Sequence, residues 1–151
     1  MNISIIAVGS ELLLGQIANT NGQYLSKLLN GVGKNVVEHT VIGDNPERLE
    51  YTIRQGLERF DMIVLTGGLG PTKDDLTKHT VAKVLNKELV IDEPSLQYIE
   101  SYFEDQGQVM TPNNKQQALV IEGATVLPNK NGMAPGMLVE IAEKKVVLLP
   151  G

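Results

Sequence analysis

Apolar and polar positions along the chain change period several times, and each change marks an element. Ile3–Val8 is a mostly apolar run closed by Gly9, the pattern of a strand covered on both faces. Leu25, Leu28, Leu29 and Val32 then recur at helical spacing, with Gly31 and Gly33 as stop signals. Asn35–Ile42, carrying Val36, Val37, Val41 and Ile42, predicts a second strand. Asn45 is placed to cap a helix that Pro46 opens, and Leu49, Ile53, Leu57 and Phe60 form its inner stripe. Met62–Thr66 predicts a third strand, and Asp75–Asn86 a helix burying Val81, Val84 and Leu85. Pro94–Asp105 predicts a helix with Leu96, Ile99, Tyr102 and Phe103 on its buried face, and Thr111-Pro112 starts a short one. Thr125–Leu127 reads as a short strand. Met137–Ile141 and Lys145–Leu149, joined by Ala142-Glu143-Lys144, read as a hairpin or two sheet strands.

Strand, helix, strand, helix, strand, helix over the first 90 residues predicts an α/β fold: a mostly parallel sheet with helices on both faces. In such a sheet ligands sit beyond the carboxyl ends of the strands. Three chemically unusual loops can reach that edge. They are Gly9–Asn21 after the first strand, Thr66–Thr77 after the third, and Asn129–Gly136 before the hairpin.

The middle loop, Thr66-Gly67-Gly68-Leu69-Gly70-Pro71-Thr72-Lys73-Asp74-Asp75-Leu76-Thr77, carries the most information. Three glycines in four positions strip side chains from a turn, so backbone N–H groups can close around an anion. A helix N-terminus directly after it adds partial positive charge at the same place. The spacing matches neither the Walker pattern nor the dinucleotide G-x-G-x-x-G pattern. Adjacent aspartates point roughly 100° apart on a helix, so one is expected to cap and the other to face a ligand; Asp75 is the ligand-side choice. Glu11 is the next carboxylate, and the following Leu12-Leu13-Leu14 predicts a loop partly buried or packed on a partner. Asn19-Thr20-Asn21 reads as a helix cap with an amide within reach of a ligand, and Asp44 and Asn45 read as capping residues. Lys73 is suited either to a ligand phosphate or to solvent. His39 and His79 have no second histidine at metal spacing and are assigned polar roles.

Bulk properties narrow the class. The 151 residues are one domain's worth, with 42% hydrophobic and 21% charged residues, ordinary for a globular protein. A formal net charge of −5 argues against direct nucleic-acid binding. The absence of cysteine excludes thiol nucleophiles, disulfides and zinc–thiolate sites within these residues. No apolar run is long enough to span a membrane, and the first residues lack a signal-peptide pattern, so the expected location is cytoplasmic. Pro150-Gly151 directly follows a buried strand, which predicts a single domain over residues 1–151, cut short at its carboxyl end.

The glycine-turn sequence resembles the signature of the molybdopterin-binding domain shared by MogA, MoaB and MoeA. Within that superfamily Gly9-Ser10-Glu11-Leu12-Leu13-Leu14-Gly15 with Asn19-Thr20-Asn21, then Asn131-Gly132-Met133-Ala134-Pro135-Gly136 and Leu149-Pro150-Gly151, resemble the amino-terminal domain of the CinA, or competence/damage-inducible, proteins. The family's Gly-Thr-Ala-Pro-Gly stands here as Gly132-Met133-Ala134-Pro135-Gly136, one hydroxyl short. The resemblance implies a three-layer αβα sandwich without the carboxy-terminal deamidase domain of full-length CinA proteins. It implies metal-dependent hydrolysis of ADP-ribose at its pyrophosphate, or alternatively molybdopterin binding in molybdenum-cofactor assembly. A third reading is a non-catalytic nucleotide-binding regulatory module.

On the hydrolase reading Asp75, with Asp74 or Glu11, is catalytic, and Asp75 and Glu11 hold a divalent metal ion. Gly67, Gly68 and Gly70 cradle phosphate, and Thr66, Thr72 and Thr77 donate orienting hydrogen bonds. Pro71, Gly9, Ser10, Asn21, Gly132, Ala134, Pro135 and Gly136 complete the expected site. The implied partners are a small nucleotide or pterin ligand and further copies of the chain, as a dimer or trimer.

Overall fold

A computed structural model describes residues 1–151. Its centre is a six-stranded sheet of β1 (Asn2–Val8), β2 (Asn35–Ile42), β3 (Met62–Thr66), β6 (Thr125–Leu127), β7 (Gly136–Ile141) and β8 (Lys144–Leu149), in the order β2-β1-β3-β8-β7-β6. The first four in that order pair in parallel, and β7 runs antiparallel to both neighbours. Residue parity sorts the two faces. Ile3, Ile5 and Val64 turn to one side, where Leu25 and Leu29 of α2 (Thr20–Gly31) cover them. Ile6, Val8, Ile63, Leu65, Val146 and Leu148 turn to the other side, into the larger core with Leu49 and Ile53 of α3 (Pro46–Arg59) and Val81 and Ala82 of α4 (Thr77–Leu85). The layers are therefore helix, sheet, helix, as expected.

Local chemistry accounts for most boundaries. Asn45 Oδ1 accepts from Arg48 N at 3.0 Å with Pro46 in the first turn of α3, and Asn19 Oδ1 accepts from Gly22 N at 3.0 Å to cap α2. Three expectations change. The helix expected from Asp75 begins at Thr77, because Asp75 turns back to bond Thr72; neither aspartate caps it. A short α1 (Ser10–Leu13) follows β1, and its leucine tail is not packed: Leu13 and Leu14 are 55% and 71% exposed. Leu28, Val32 and Tyr102 are exposed as well, so α2 and α5 (Glu93–Asp105) each bury a narrower stripe than their periodicity suggested.

A second sheet joins β4 (Leu89–Ile91) to β5 (Leu119–Ile121) in antiparallel pairing, which the sequence reading lacked. With α5, α6 (Pro112–Lys115) and the 3-10 turn at Gln116–Ala118, it forms a small lobe beside the carboxyl edge of the main sheet.

Candidate functional site

β1 and β3 lie side by side, with Ala7 opposite Thr66, so the loops leaving them start from one place. A cleft of about 620 Å³ opens there. Its floor is Val8, Thr66, Gly67, Gly68, Leu69 and Gly70; Glu11 and Asn21 stand on one side, Asp75 on another. Asn129, Asn131, Gly132, Met133 and Ala134 close the third side, with Gln117 from the small lobe and Pro150-Gly151 after β8. All three loops singled out from the sequence meet in it.

The turn can form only because its glycines are bare. Gly67 has φ +96°, and a Cβ there would collide with the Val8 carbonyl. Gly68 has φ +74°, and a Cβ would fall on the Thr77 hydroxyl. The fold then pins the turn. Gly67 N donates to Leu149 O at 3.0 Å, Thr77 Oγ1 donates to Gly67 O at 2.8 Å, and Thr77 N donates to Gly68 O at 3.2 Å. The N–H groups of Gly68, Leu69 and Gly70 donate to no group of the chain, and all three residues line the cleft. That leaves the next three donors for an anion, at the edge of the positive end of α4.

Each expected residue now has a place. Gly67 does not offer its N–H to a ligand, because Leu149 already takes it. Thr72 and Thr77 do not point donors at the cleft: Thr72 N and Oγ1 bond Asp75 Oδ2 at 2.9 and 2.7 Å, and Thr77 is fully buried behind the turn. Asp75 lines the cleft, whereas Asp74 and Pro71 lie outside its lining, Asp74 on the exposed crest of the loop. Gly9 and Ser10 lie outside the cleft lining and are held against the end of β2. Gly9 N donates to Ile42 O at 2.8 Å, and Ser10 Oγ accepts from Asp44 N at 3.0 Å while Ser10 N donates to Asp44 Oδ2 at 3.3 Å. Asp44 therefore clasps Ser10, and capping falls to Asn45 alone. Pro135 and Gly136 are buried at the start of β7 and outside the lining; a Cβ on Gly136 would sit 3.0 Å from Leu148 O, so this glycine serves strand packing.

The two carboxylates are held alike in one respect. A Cβ at Gly9 would lie 2.5 Å from Glu11 Oε1, and one at Gly70 would lie 2.8 Å from Asp75 Oδ2, so each acid lies folded over a glycine. The Glu11 carboxylate makes no hydrogen bond or ion pair with the chain, and Asp75 keeps Oδ1 free. No three His, Asp or Glu side chains gather anywhere. Glu11 and Asp75 both line the cleft, and a magnesium-type ion takes one or two carboxylates and completes its shell with phosphate oxygens and water.

Two residues carry signals the sequence reading passed over. Lys78, only 2% exposed, donates its Nζ to Gln116 O, and burial lowers its pKa to about 8 against an opposing pull from Asp75. It shares a helix face with Val81, Ala82 and Leu85, a spacing that marks an inward position. His79 has its Nδ1 buried without a partner, and burial first, then the Lys78 charge, lowers its pKa. Gln117 is also buried and reaches the cleft wall.

The family model described as a probable molybdopterin binding domain matches residues 4–151. The chain belongs to this molybdopterin-binding-domain family, on its CinA-type branch. It is 62% identical over 152 residues to a Shouchella clausii protein named competence-damage inducible protein, covering all of this chain and 36% of that one. A protein of the same name from Bacillus subtilis is 59% identical over 97% of this chain and 35% of its own length. The chain thus spans little more than a third of the curated relatives it matches. Among solved structures, the CinA protein of Thermoplasma acidophilum, described as of unknown function, superposes with a TM-score of 0.88 at 36% identity, covering 99% of this chain and 88% of that one. The molybdopterin biosynthesis enzyme MoaB of Thermus thermophilus gives 0.66 at 16% identity over 99% of this chain and 80% of its own, a likeness of fold alone. No helix is long and apolar enough to cross a membrane.

Proposed function

We propose that this domain is a metal-dependent pyrophosphatase acting on ADP-ribose or a related nucleotide diphosphate compound. The observation that carries the reading is the meeting of three unused backbone donors, at Gly68, Leu69 and Gly70, with two acids, Glu11 and Asp75, in one cleft. The donors bind the oxygens of a pyrophosphate and stabilise charge that builds on them during cleavage. Thr72 fixes the Asp75 carboxylate through one oxygen and leaves the other for the ion, and Glu11 approaches from the β1 side. Asp75 and Glu11 are the residues that would hold a divalent ion, which would supply charge neutralisation and a lowered pKa for the attacking water. Water adds to one phosphorus, the bridging oxygen leaves with the other phosphate, and the products are AMP and ribose phosphate. Asn21, Asn129, Asn131 and Gln117 offer amides to the rest of the ligand.

Incubation of ADP-ribose with the chain tests this directly. AMP release is expected with magnesium or manganese, to stop with chelator and to fall about 100-fold or more in Asp75→Asn, the usual scale for a positioned carboxylate. Turnover indifferent to chelator and to that substitution would show the mechanism to be wrong.

The family match favours a second reading, molybdopterin binding, since molybdopterin carries a phosphate for the same turn. Tight pterin binding without nucleotide hydrolysis would support it, and nucleotide binding without turnover would support a regulatory module. Self-association as a dimer or trimer belongs to the same proposal, with exposed Leu13, Leu14, Ile17, Tyr24, Leu28 and Val32 as the apolar surface available for it.

A further inference from the structure

Lys78 is the one charged side chain among the buried residues. It occupies the second position of α4, directly after the threonine that pins the glycine turn. Its ammonium carries three N–H donors, and the chain supplies one acceptor, the Gln116 carbonyl. The ion pairs of the molecule, Arg54–Glu50, Arg59–Glu38 and Lys83–Glu50, leave it out. A buried cation with one neutral acceptor is among the costliest groups a fold can keep. Two things surround it that give the cost a purpose. The turn with its free donors is pinned by Thr77, the neighbour of Lys78 on α4, and the Asp75 charge reaches Lys78 through space. The other is Gln116, whose neighbour Gln117 forms part of the cleft wall.

We propose that Lys78 is a positioning residue for a phosphate-bearing ligand, holding the Gln116–Gln117 wall against the glycine turn and placing behind that turn a positive charge that the phosphate neutralises. The inference rests on the phosphate-binding reading given above. It accounts for a lysine inside an acidic protein where a leucine would pack at lower cost. The lowered pKa agrees: with no phosphate present, the buried ammonium loses its proton more readily than a lysine in water. The charged groups around it are few. Asp75 and His79 flank it on its own segment, α3 contributes Glu50, already held by Arg54 and Lys83, β5 carries none, and Lys115 on the facing segment is exposed.

The test is calorimetric titration of AMP and of adenosine, with magnesium present, into the whole chain, Lys78→Met and Lys78→Arg, beside an assay of ADP-ribose turnover by the unaltered chain. AMP affinity is expected to fall tenfold or more in Lys78→Met and to return to within about threefold of the unaltered value in Lys78→Arg, with adenosine affinity the same in all three. Between pH 7.5 and 9, where the AMP phosphate is fully ionised, AMP affinity of the unaltered chain is expected to fall about fivefold and that of Lys78→Arg to stay level. AMP affinity that ignores Lys78→Met, or a pH profile shared by the unaltered chain and Lys78→Arg, overturns this inference alone if ADP-ribose is still turned over. An unaltered chain that neither binds AMP nor turns over ADP-ribose overturns the proposed function and this inference together.

Discussion

The loops after β1 and β3 do the same job by different means. Each lays a carboxylate over a glycine at the mouth of one cleft, Glu11 over Gly9 and Asp75 over Gly70. The β3 loop is fastened at both ends: Gly67 to Leu149, Thr77 to Gly67 and Gly68, Thr72 to Asp75. The β1 loop is tied to the neighbouring β2 end at its root, by Gly9 to Ile42 and by Ser10 to Asp44, and beyond that Leu14 and Ile17 stand 71% and 55% exposed. One side is a pinned turn with three unused backbone donors. The other is tied to the rest of the fold at fewer points and leaves its apolar side chains in solvent.

Glycine substitutions break the contrast most sharply. Gly67→Ala forces a Cβ onto the Val8 carbonyl at φ +96° and should cost roughly 3 kcal/mol or more, enough to unfold a marginal domain in a urea melt. Gly15→Ala, at φ +73° in the β1 loop with nothing within 4 Å, meets only backbone strain and should cost about 1 kcal/mol. Equal costs at the two sites would remove the distinction.

Lys78 gives the next effect, with opposite sign. Its folded pKa of about 8 lies below its ordinary 10.5, so between those values the unfolded chain holds a proton the folded chain has lost. Stability should therefore rise as pH climbs from about 8 toward 10.5, against whatever other groups contribute. Lys78→Met should be more stable at pH 7 by about 1–3 kcal/mol and should lose that upward limb. A flat difference between the two proteins across this range would show Lys78 to be solvated.

Thr77→Val removes the hydroxyl that pins Gly67 O and should cost about 1–2 kcal/mol, read as a shifted urea midpoint at unchanged slope. The smallest stability change belongs to Glu11→Gln. Because the Glu11 carboxylate bonds nothing in the chain, its melt should move by no more than about 0.5 kcal/mol while ADP-ribose turnover drops. Asp75→Asn should lose both, since its carboxylate holds Thr72 as well as facing the cleft.

Much of the frame was legible in the residues. Runs such as Ile3–Val8 and Met62–Thr66 are long enough to reveal two-sided burial, and the pairing of Asn45 with Pro46 announces a helix start before any packing is known. Leu89–Ile91 and Leu119–Ile121 escaped because three residues hold no period; only their pairing across 30 positions makes them strands. The three loops of the site were legible from glycine and amide content, and all three reach the cleft. The assignment of donors within them was not. Threonine hydroxyls beside a glycine turn look ligand-directed in sequence, yet Thr72 and Thr77 spend theirs on Asp75 and Gly67. Lys78 stayed hidden because a lysine in a chain of net charge −5 reads as solvated until the helix face it shares with Val81 is counted.

Whether the glycine turn and its two acids form a phosphate-cleaving site is tested most directly by AMP release from ADP-ribose with and without divalent metal. The same assay should be run on this chain and on a form carried beyond Gly151 along the length of its relatives. AMP and ribose phosphate are expected in the presence of metal, suppressed by chelator and by Asp75→Asn. No AMP from either form, with metal present and the protein folded, would contradict the proposed function.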